Sequence, residues 1–478
     1  MAASVRKNFL WNASYQLLLV LAPLVTTPYL SRVLGPEQVG VYSYTYSITN
    51  YFVLFATLGM ANYGVRVIAA AGSDRAKRSR SFWSAYFSQA VVCIPVTILY
   101  AAYALLEPEG GFIIALVWGM WVVSAILDVS WLFFGVEDFR FPTERSFITK
   151  LASIIAIFLF VKTPDDLWVY CAAIAGSFLA NQVIMWPFVG RHVDWVRPTW
   201  AEVRVHFGPN LRLFAPVVAI SLYTSLDKIM LGAISGMEQA GYYEYSEKIS
   251  KMPMAVITAL GTVMLPRMTA ALSEGRVGQA RSLLGESMWV MQAAAMAMAF
   301  GIGAVAPEFS VVFFGPGYEP CEYIMPIVAA VIPIISASNV IGVQYMLPTF
   351  SDGAYTLSVC AGAVVNVALN LILLKPFGAV GAAVATVCAE IAVLAYQCWV
   401  VRSDLPLWKY LKSAFPFLGI GCVMAVCVRI VASCLGGPSI GGLLIEFAVG
   451  AVCYIALAAA WCASTGKAEL MRCLLGRR

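Results

Sequence analysis

Long apolar runs dominate the chain, and short stretches that contain charged residues, proline or glycine separate them. A helix needs about 20 mostly apolar residues to cross the hydrocarbon core of a bilayer. The runs therefore predict about fourteen membrane-spanning helices and leave no stretch long enough for a soluble domain. The predicted spans are 8–31, 39–68, 82–106, 111–135, 146–162, 166–190, 210–234, 241–271, 283–307, 321–347, 354–374, 378–401, 413–434 and 440–464.

Composition supports an all-α integral membrane protein. Apolar residues make up 61% of the 478 residues and charged residues 12%, against roughly 45–50% and about 25% in an average soluble domain. The first apolar run follows Arg6 and Lys7 but is too long for a cleaved signal peptide and lacks a small-residue cleavage site. We expect it to remain as the first helix.

The positive charges predict the orientation. If the spans alternate, most Lys and Arg residues fall in loops on one side, and the opposite face carries only Arg32, Lys162 and Lys375. The positive-inside rule then places both termini in the cytoplasm. Acidic residues divide about evenly between the faces, so the net charge of +5 reflects a basic inner rim and gives no evidence for nucleic acid as a partner.

An internal repeat organises the spans. Residues 34–44 read LGPEQVGVYSY and residues 235–245 read SGMEQAGYYEY, at a constant offset of 201 that also aligns Arg66 with Arg267. Both copies begin a helix that runs in the same direction. This predicts two pseudo-symmetric six-helix lobes in parallel orientation, an arrangement in which transporters form a central cavity between rocking halves.

The predicted domains follow from this repeat. They are an N-lobe at 1–190, a cytoplasmic inter-lobe loop at 191–209, a C-lobe at 210–401, and two extra helices with a cytoplasmic tail at 402–478. The sequence contains none of the metal, nucleotide or hydrolase motifs that would predict an enzyme or a cofactor. His192 and His206 share the inter-lobe loop without a metal-ligand spacing, so we expect both to be solvated.

Charged residues inside membrane helices are costly, so they are candidates for function. Glu244 with Lys248, and Glu247 with Lys251, are four residues apart in the favourable order for pairing within one helix. That pairing would neutralise the helix; the alternative is that these residues line a wet cavity and carry protons or cations. Further coupling candidates are Asp128, Asp227, Lys228 and Glu390.

Neighbouring charges in this set point in different directions. Asp227 and Lys228 lie about 100° apart on a helix, so one faces a cavity or bonds to the next helix. Asp128 and Glu390 stand alone in apolar runs, where each is either a hydrogen-bond partner between helices or a protonatable site.

Arg66 and Arg267 are the strongest candidates for binding substrate. A guanidinium offers paired hydrogen bonds to phosphate oxygens and stays charged, and the repeat would aim both arginines at one cavity, with Asn62 one turn before Arg66. The alternative is that they anchor the cytoplasmic rim by extending towards water. Arg32, at the outer end of the first helix, could receive the same group after transit.

Several segments resemble Wzx-type oligosaccharide flippases of the multidrug/oligosaccharidyl-lipid/polysaccharide exporter superfamily. These are residues 8–64, WLFFGVEDF at 131–139, QYMLP at 344–348 and GAVGAAVATVCAE at 378–390. The resemblance reaches about residue 401. It implies a fold similar to that of the MATE transporters, with two helices added at the C-terminus.

The resemblance also implies a function. We expect a bacterial inner-membrane protein that flips undecaprenyl-diphosphate-linked oligosaccharide units to the outer leaflet by alternating access, with H⁺ or Na⁺ as coupling ion. The related lipid II flippases hold the diphosphate with arginines on their first, second and eighth helices, where Arg32, Arg66 and Arg267 lie here. Membrane lipids, a polysaccharide polymerase and chain-length proteins are the expected partners.

Two alternatives remain open on the sequence. One is a cation-coupled multidrug antiporter of the same superfamily. The other is a membrane polysaccharide polymerase or ligase, which the short loops disfavour.

Overall fold

The computed structural model describes residues 2–107, 109–349 and 351–465, and these residues form helices and connecting turns without a β-strand. The α-helices are α1 Ala2–Thr57, α2 Met60–Ala71, α3 Arg75–Leu106, α4 Glu109–Ile126, α5 Ser130–Gly135, α6 Arg140–Phe160, α7 Leu167–Val183, α8 Trp186–Val189, α9 Trp200–Arg204, α10 Phe207–Ser235, α11 Met237–Lys251, α12 Met254–Ser273, α13 Val277–Phe309, α14 Cys321–Ala329, α15 Val331–Ser338, α16 Asp352–Val400, α17 Leu407–Lys412, α18 Phe415–Cys434 and α19 Ile440–Ser464. The end of the predicted cytoplasmic tail, residues 466–478, lies outside the described residues.

Ten helical segments in the described part of the chain are long and apolar enough to cross a membrane. Two of them run for 54 and 49 residues, far beyond the roughly 20 that one crossing needs. The backbone leaves helical geometry inside these two, at Gly35 in α1 and at Gly378 in α16. The all-α membrane fold is thereby confirmed, and the number fourteen stays a prediction.

The glycine in each copy of the repeat adopts a left-handed conformation. Gly35 has φ +74° and ψ 171°, and Gly236 has φ +101° and ψ 161°. Residues with a Cβ are strained at such angles, whereas glycine adopts them readily. The two sequence copies therefore begin the same local structure, a sharp break followed directly by a new helix.

The chain divides into two compact units, residues 1–221 and 222–478. The division falls within α10, whereas the predicted lobes ended at 190 and began at 210. Those predicted lobe boundaries stay predictions. The N-terminal unit contains α1 to α9, and the C-terminal unit contains α11 to α19.

Aromatic side chains fill a core of the N-terminal unit. Phe82, Trp131 and Phe133 are almost fully buried there. Gly64 of α2 lies so close to Trp131 that a Cβ atom would approach the indole ring to 2.5 Å. The missing side chain lets α2 pack directly on α5, and this contact fixes which face of α2 stays open.

Sulfur-containing and branched side chains build a core of the C-terminal unit. Met288 and Met291 of α13 pack in one cluster with Ile332 of α15 and Ile341. The predicted span 321–347 is not one regular helix, because α14 and α15 are separate and a wider helical turn follows at Asn339–Met346. Pro326 and Pro333 interrupt the backbone hydrogen bonds of this stretch.

Candidate functional site

Asn62 and Arg66 lie on the open face of α2. The helix buries Met60, Gly64 and Ile68, which recur every four residues, while Asn62 and Arg66 are exposed. Arg66 makes no hydrogen bond or ion pair with any other residue that the structure describes. Its guanidinium is therefore exposed on this face, and its binding of an anion stays a prediction.

Arg267 is exposed on α12 in the C-terminal unit. The buried face of this helix includes Ile257, Gly261 and Met268, and Arg267 is exposed to one side of this face. Among the described residues it too has no hydrogen-bonding or ion-pair partner. The two repeat-related arginines thus share the same local environment, each within its own unit.

Arg32 differs from both. Its Nη1 donates a hydrogen bond to the backbone carbonyl of Pro28 at 2.6 Å, one turn earlier on α1. Part of the guanidinium is therefore used within its own helix. The proposed role of Arg32 as a later phosphate contact remains a prediction.

A buried ionic network joins α10 to α11 in the C-terminal unit. Lys228 Nζ lies 2.6 Å from Glu244 Oε2 and 3.0 Å from Glu247 Oε2. Lys251 Nζ lies 2.7 Å from Glu247 Oε1. Of the two pairs expected within one helix, Glu247 with Lys251 forms, and Glu244 pairs with Lys228 across the helix interface.

Among the described residues, Lys248 forms no direct ion pair with Glu244, so the second intrahelical pair is not made. Its ammonium lies 5.8 Å from the centre of the Tyr245 ring, within cation–π distance. The helix α11 therefore does not neutralise its own charges alone, because Lys228 supplies the cation that two of its carboxylates share.

Asp227 is the centre of a second, separate polar cluster. Its carboxylate accepts hydrogen bonds from Asn370 Nδ2 at 2.6 Å, Thr386 Oγ1 at 2.9 Å, and Asn366 Nδ2 and the Tyr243 hydroxyl at 3.3 Å. All five side chains are at least 98% buried. The neighbouring residues Asp227 and Lys228 thus face different partners, as their 100° separation predicts.

The partners of Asp227 were not among the predicted site residues. Asn366 and Asn370 lie four residues apart on the first arm of α16, before the break at Gly378, and Thr386 lies on the second arm. Two asparagines on one face of an apolar helix are a signal that could have identified them, because buried amides need polar partners.

The Asp227 cluster offers several oxygen atoms at one buried place. The Asn370 Oδ1 atom is buried without a hydrogen-bond partner among the described residues. Carboxylate, amide carbonyl and hydroxyl oxygens are the ligands that hard cations prefer. The cluster can therefore accept either a proton on Asp227 or a small cation among its oxygens.

Asp128 and Glu390 have different environments. Asp128 Oδ1 accepts hydrogen bonds from the amide and hydroxyl of Ser130, at 2.9 and 2.6 Å, in the turn between α4 and α5. Asp128 thus makes a local contact in the turn before α5. Glu390 is 5% exposed on the second arm of α16 and interacts with the charge of Lys251.

The expectation that His206 is solvated was wrong. His206 is buried, with Nδ1 2.7 Å from the Tyr63 hydroxyl and Nε2 2.8 Å from Ser84 Oγ. Burial lowers the pKa of His206, and burial also lowers the pKa of His192 despite the nearby Asp138. His206 thus connects its loop to α2 and α3, because its two ring nitrogens are hydrogen-bonded to Tyr63 of α2 and Ser84 of α3.

Comparison with known proteins places these features in a family. The family model described as polysaccharide biosynthesis protein matches residues 5–272. A protein of Escherichia coli (strain K12) named "putative O-antigen transporter" is 26% identical over 410 residues, which cover 84% of this chain and 97% of that protein.

Solved structures show the same fold. The lipid II flippase MurJ in its inward closed conformation superposes with a TM-score of 0.75 at 14% identity, covering 96% of this chain and 99% of that chain. An inward-facing multidrug resistance MATE family transporter of the MOP superfamily gives a TM-score of 0.65 at 14% identity, covering 80% and 94%. The chain is a multi-pass membrane protein with the MOP-type fold, and it belongs to the polysaccharide biosynthesis protein family.

Proposed function

We propose that this protein is a transporter that flips a polyprenyl-diphosphate-linked oligosaccharide unit from the inner to the outer leaflet of the bacterial cytoplasmic membrane. The family supports a role in making a surface polysaccharide, and the curated relative named for O-antigen transport covers most of the chain. The lipid would be undecaprenyl diphosphate, and the movement would follow alternating access. Both termini would lie in the cytoplasm.

One observation supports assigning the binding of the diphosphate to two particular residues. Arg66 and Arg267 occupy equivalent positions in the repeat, are both exposed, and have no ionic partner in the described parts of the chain. A structural arginine in a membrane protein normally has its charge paired. Two unpaired guanidinium groups at matching positions are suited to a ligand that carries two phosphates, because each can form bidentate hydrogen bonds with phosphate oxygens.

Alanine and lysine variants test this assignment. In a strain that lacks its own flippase, the Arg66→Ala/Arg267→Ala double variant should fail to restore surface polysaccharide, and lysine at both positions should restore it only in part. Lysine keeps the charge but loses the paired hydrogen bonds of the guanidinium. Arg204→Ala is the matched control, because Arg204 is also an exposed arginine, at the end of α9.

Full complementation by the double alanine variant, at wild-type protein level, would overturn the phosphate-binding role. The arginines would then be rim anchors that extend towards water.

We propose further that Asp227 binds the coupling cation, H⁺ or Na⁺. Glu244 and Glu247 were equal candidates in the sequence, but both are engaged by Lys228. Asp227 has no ion pair among the described residues, and its neighbours are neutral oxygen- and nitrogen-bearing side chains. A buried carboxylate without an ion-pair partner is costly when it is charged, so a bound proton or small cation would stabilise it.

The likeness to the MATE fold is also compatible with a second candidate function, cation-coupled multidrug efflux. Drug export by a strain whose surface polysaccharide is unaffected by loss of this protein would favour it. A polymerase or ligase activity has no support from the relative, which is named a transporter. We expect a polysaccharide polymerase and chain-length proteins to act on the flipped unit.

A further inference from the structure

A cavity of about 380 Å³ lies in the C-terminal unit, apart from the arginines and the Asp227 cluster. Its volume is within the range of about 300–1,000 Å³ that is typical of small-molecule sites. The walls come from α13, α18 and α19 and are mostly apolar; they include Gly301, Val305, Met424, Val428, Glu446 and Gly450.

Glu446 is the one charged residue that lines this cavity in the described chain. It is 2% exposed, and its Oε2 atom is buried without a hydrogen-bond partner among the described residues. The hydroxyl of Tyr454, another polar lining group, already donates to the carbonyl of Ala293 at 2.7 Å. A buried carboxyl group without partners is costly whether or not it is ionised. Among the described residues, the cavity therefore offers Glu446 no free hydrogen-bond donor.

The neighbouring arginine does not supply this donor. Arg429 on α18 places Nη1 2.5 Å from Glu308 Oε2 and 3.2 Å from the carbonyl of Ala304. The charge of Arg429 is thus matched by Glu308. An ionised Glu446 leaves one uncompensated negative charge at this place.

The depth of Glu446 fits a lipid headgroup. Glu446 is six residues into α19, which begins at Ile440, so it lies about 9 Å along the helix at 1.5 Å per residue. The 25 residues of α19 would span about 37 Å, several ångströms more than the hydrocarbon core of about 30 Å. The carboxylate is therefore near the boundary between headgroups and acyl chains.

We propose that this cavity binds a phospholipid with a primary ammonium headgroup, such as phosphatidylethanolamine. The ammonium donates hydrogen bonds to Glu446 and compensates its charge, while an acyl chain fills the apolar space between α13, α18 and α19. A charge-assisted hydrogen bond of this kind is about twice as strong as a neutral one. The inference requires only a membrane protein and does not depend on what the protein transports.

Native mass spectrometry of the purified full-length protein with equal amounts of defined lipids tests the proposal. Phosphatidylethanolamine should be retained at least tenfold more than phosphatidylcholine, whose quaternary ammonium has no N–H donor. Glu446→Gln should abolish this preference. Glu319→Gln removes an exposed carboxylate elsewhere in the same unit and should leave the preference unchanged.

A second variant tests whether an acyl chain occupies the cavity. A Cβ at Gly301 would meet only Met424 Cε, at 4.0 Å, so Gly301→Leu can fill the cavity without a backbone clash and should reduce lipid retention with Glu446 intact. If leucine prevents folding, Gly301→Val should produce a smaller reduction of the same kind.

Three results would overturn the proposal. The first is an unchanged headgroup preference in Glu446→Gln. The second is that the wild type retains phosphatidylcholine or a polyprenyl phosphate as well as it retains phosphatidylethanolamine. The third is that both Gly301 variants retain as much phosphatidylethanolamine as the wild type.

Discussion

Two regions of the molecule are copies of one sequence element, yet their polar residues differ in kind. One copy is the second arm of α1, residues 36–57. The other copy is α11 together with its neighbour α12. Each copy follows a left-handed glycine, Gly35 or Gly236. At the offset of 201, Ser43 and Ser47 of the N-terminal copy correspond to Glu244 and Lys248 of the C-terminal copy. The shared fold therefore does not require the charges.

The preceding helix shows the same contrast. Thr26 and Thr27 correspond to Asp227 and Lys228 at the same offset. Thr26 Oγ1 donates to the carbonyl of Ala22, one turn earlier in its own helix, whereas Lys228 contacts carboxylates of another helix. The N-terminal copy shows that neutral residues suffice for packing. The charges of the C-terminal copy are thus better explained by function than by stability.

Lys228→Met should have the largest effect on stability. It leaves Glu244 and Glu247 buried without their shared cation, and breaking a buried ion pair from one side costs about 3–5 kcal/mol. The melting temperature of the purified protein should fall by several degrees or more. Thr27→Val is the matched change in the other copy; because Thr27 Oγ1 is buried without a partner among described residues, it should be neutral or stabilising.

Restoring neutrality should separate the fold from the function. In Lys228→Gln/Glu244→Gln, Glu247 keeps its ion pair with Lys251, so most of the stability lost in Lys228→Met should return while transport stays impaired. A double variant that transports at the wild-type rate would show that the charges of Lys228 and Glu244 have no functional role.

Asp227→Asn should abolish the response of transport to a cation gradient. Asparagine can keep hydrogen bonds to its neighbours but removes the negative charge that attracts a cation. We expect the gradient-driven rate to fall at least tenfold, which corresponds to about 1.4 kcal/mol, in liposomes with an imposed Na⁺ or H⁺ gradient. Thr26→Val, the equivalent change in the N-terminal copy, should keep the gradient response. A persistent response in Asp227→Asn would remove Asp227 as the coupling residue.

Alanine at Gly35 or at Gly236 should have similar effects, because both positions have a positive φ. At these angles, with φ positive and ψ extended, a residue with a Cβ is strained by about 1–3 kcal/mol. Thermal unfolding of each single variant measures this cost. No atom lies within 4 Å of a Cβ added at either position, so a steric clash would not explain the loss. A large effect at only one glycine would contradict a shared local structure.

Acidification should produce the smallest effect, through His206. Burial lowers the pKa of His206 in the folded protein, so the unfolded chain binds its proton at a higher pH than the folded chain does. The stability contributed by neutral His206 is therefore complete above its unfolded pKa of about 6.5 and is lost as the pH falls below it. The loss should be under about 1 kcal/mol, because the hydroxyls of Tyr63 and Ser84 can also accept hydrogen bonds from the protonated ring.

Thermal unfolding between pH 7.5 and pH 5.5 measures this dependence, and His206→Gln should flatten it. An identical pH dependence in the variant would assign the effect to other groups.

The sequence predicted most features that depend on one helix alone. Apolar runs predicted the membrane helices, and the repeat predicted Gly35 and Gly236 as equivalent positions. The four-residue spacing of Glu247 and Lys251 predicted the pair that forms within α11. Each of these follows from helical periodicity, which determines which residues share a face.

Features that depend on contact between helices were predicted less well. Periodicity places Lys228 on one face but does not show that Glu244 lies opposite it. Nor does it show that Asn366 and Asn370, before the break at Gly378, meet Asp227 on a helix more than a hundred residues earlier. His206 was assigned to water because its loop is polar, although Tyr63 and Ser84 enclose it.

The proposed activity is the movement of a lipid-linked glycan across the bilayer. The most direct test reconstitutes the purified protein in liposomes with a fluorescent polyprenyl-diphosphate-linked oligosaccharide and measures how fast the glycan becomes accessible on the opposite leaflet. We predict rapid transfer by the wild type and loss of transfer in Arg66→Ala/Arg267→Ala. Absence of lipid transfer by the wild type, together with cation-driven movement of a cationic drug, would rule out the flippase activity.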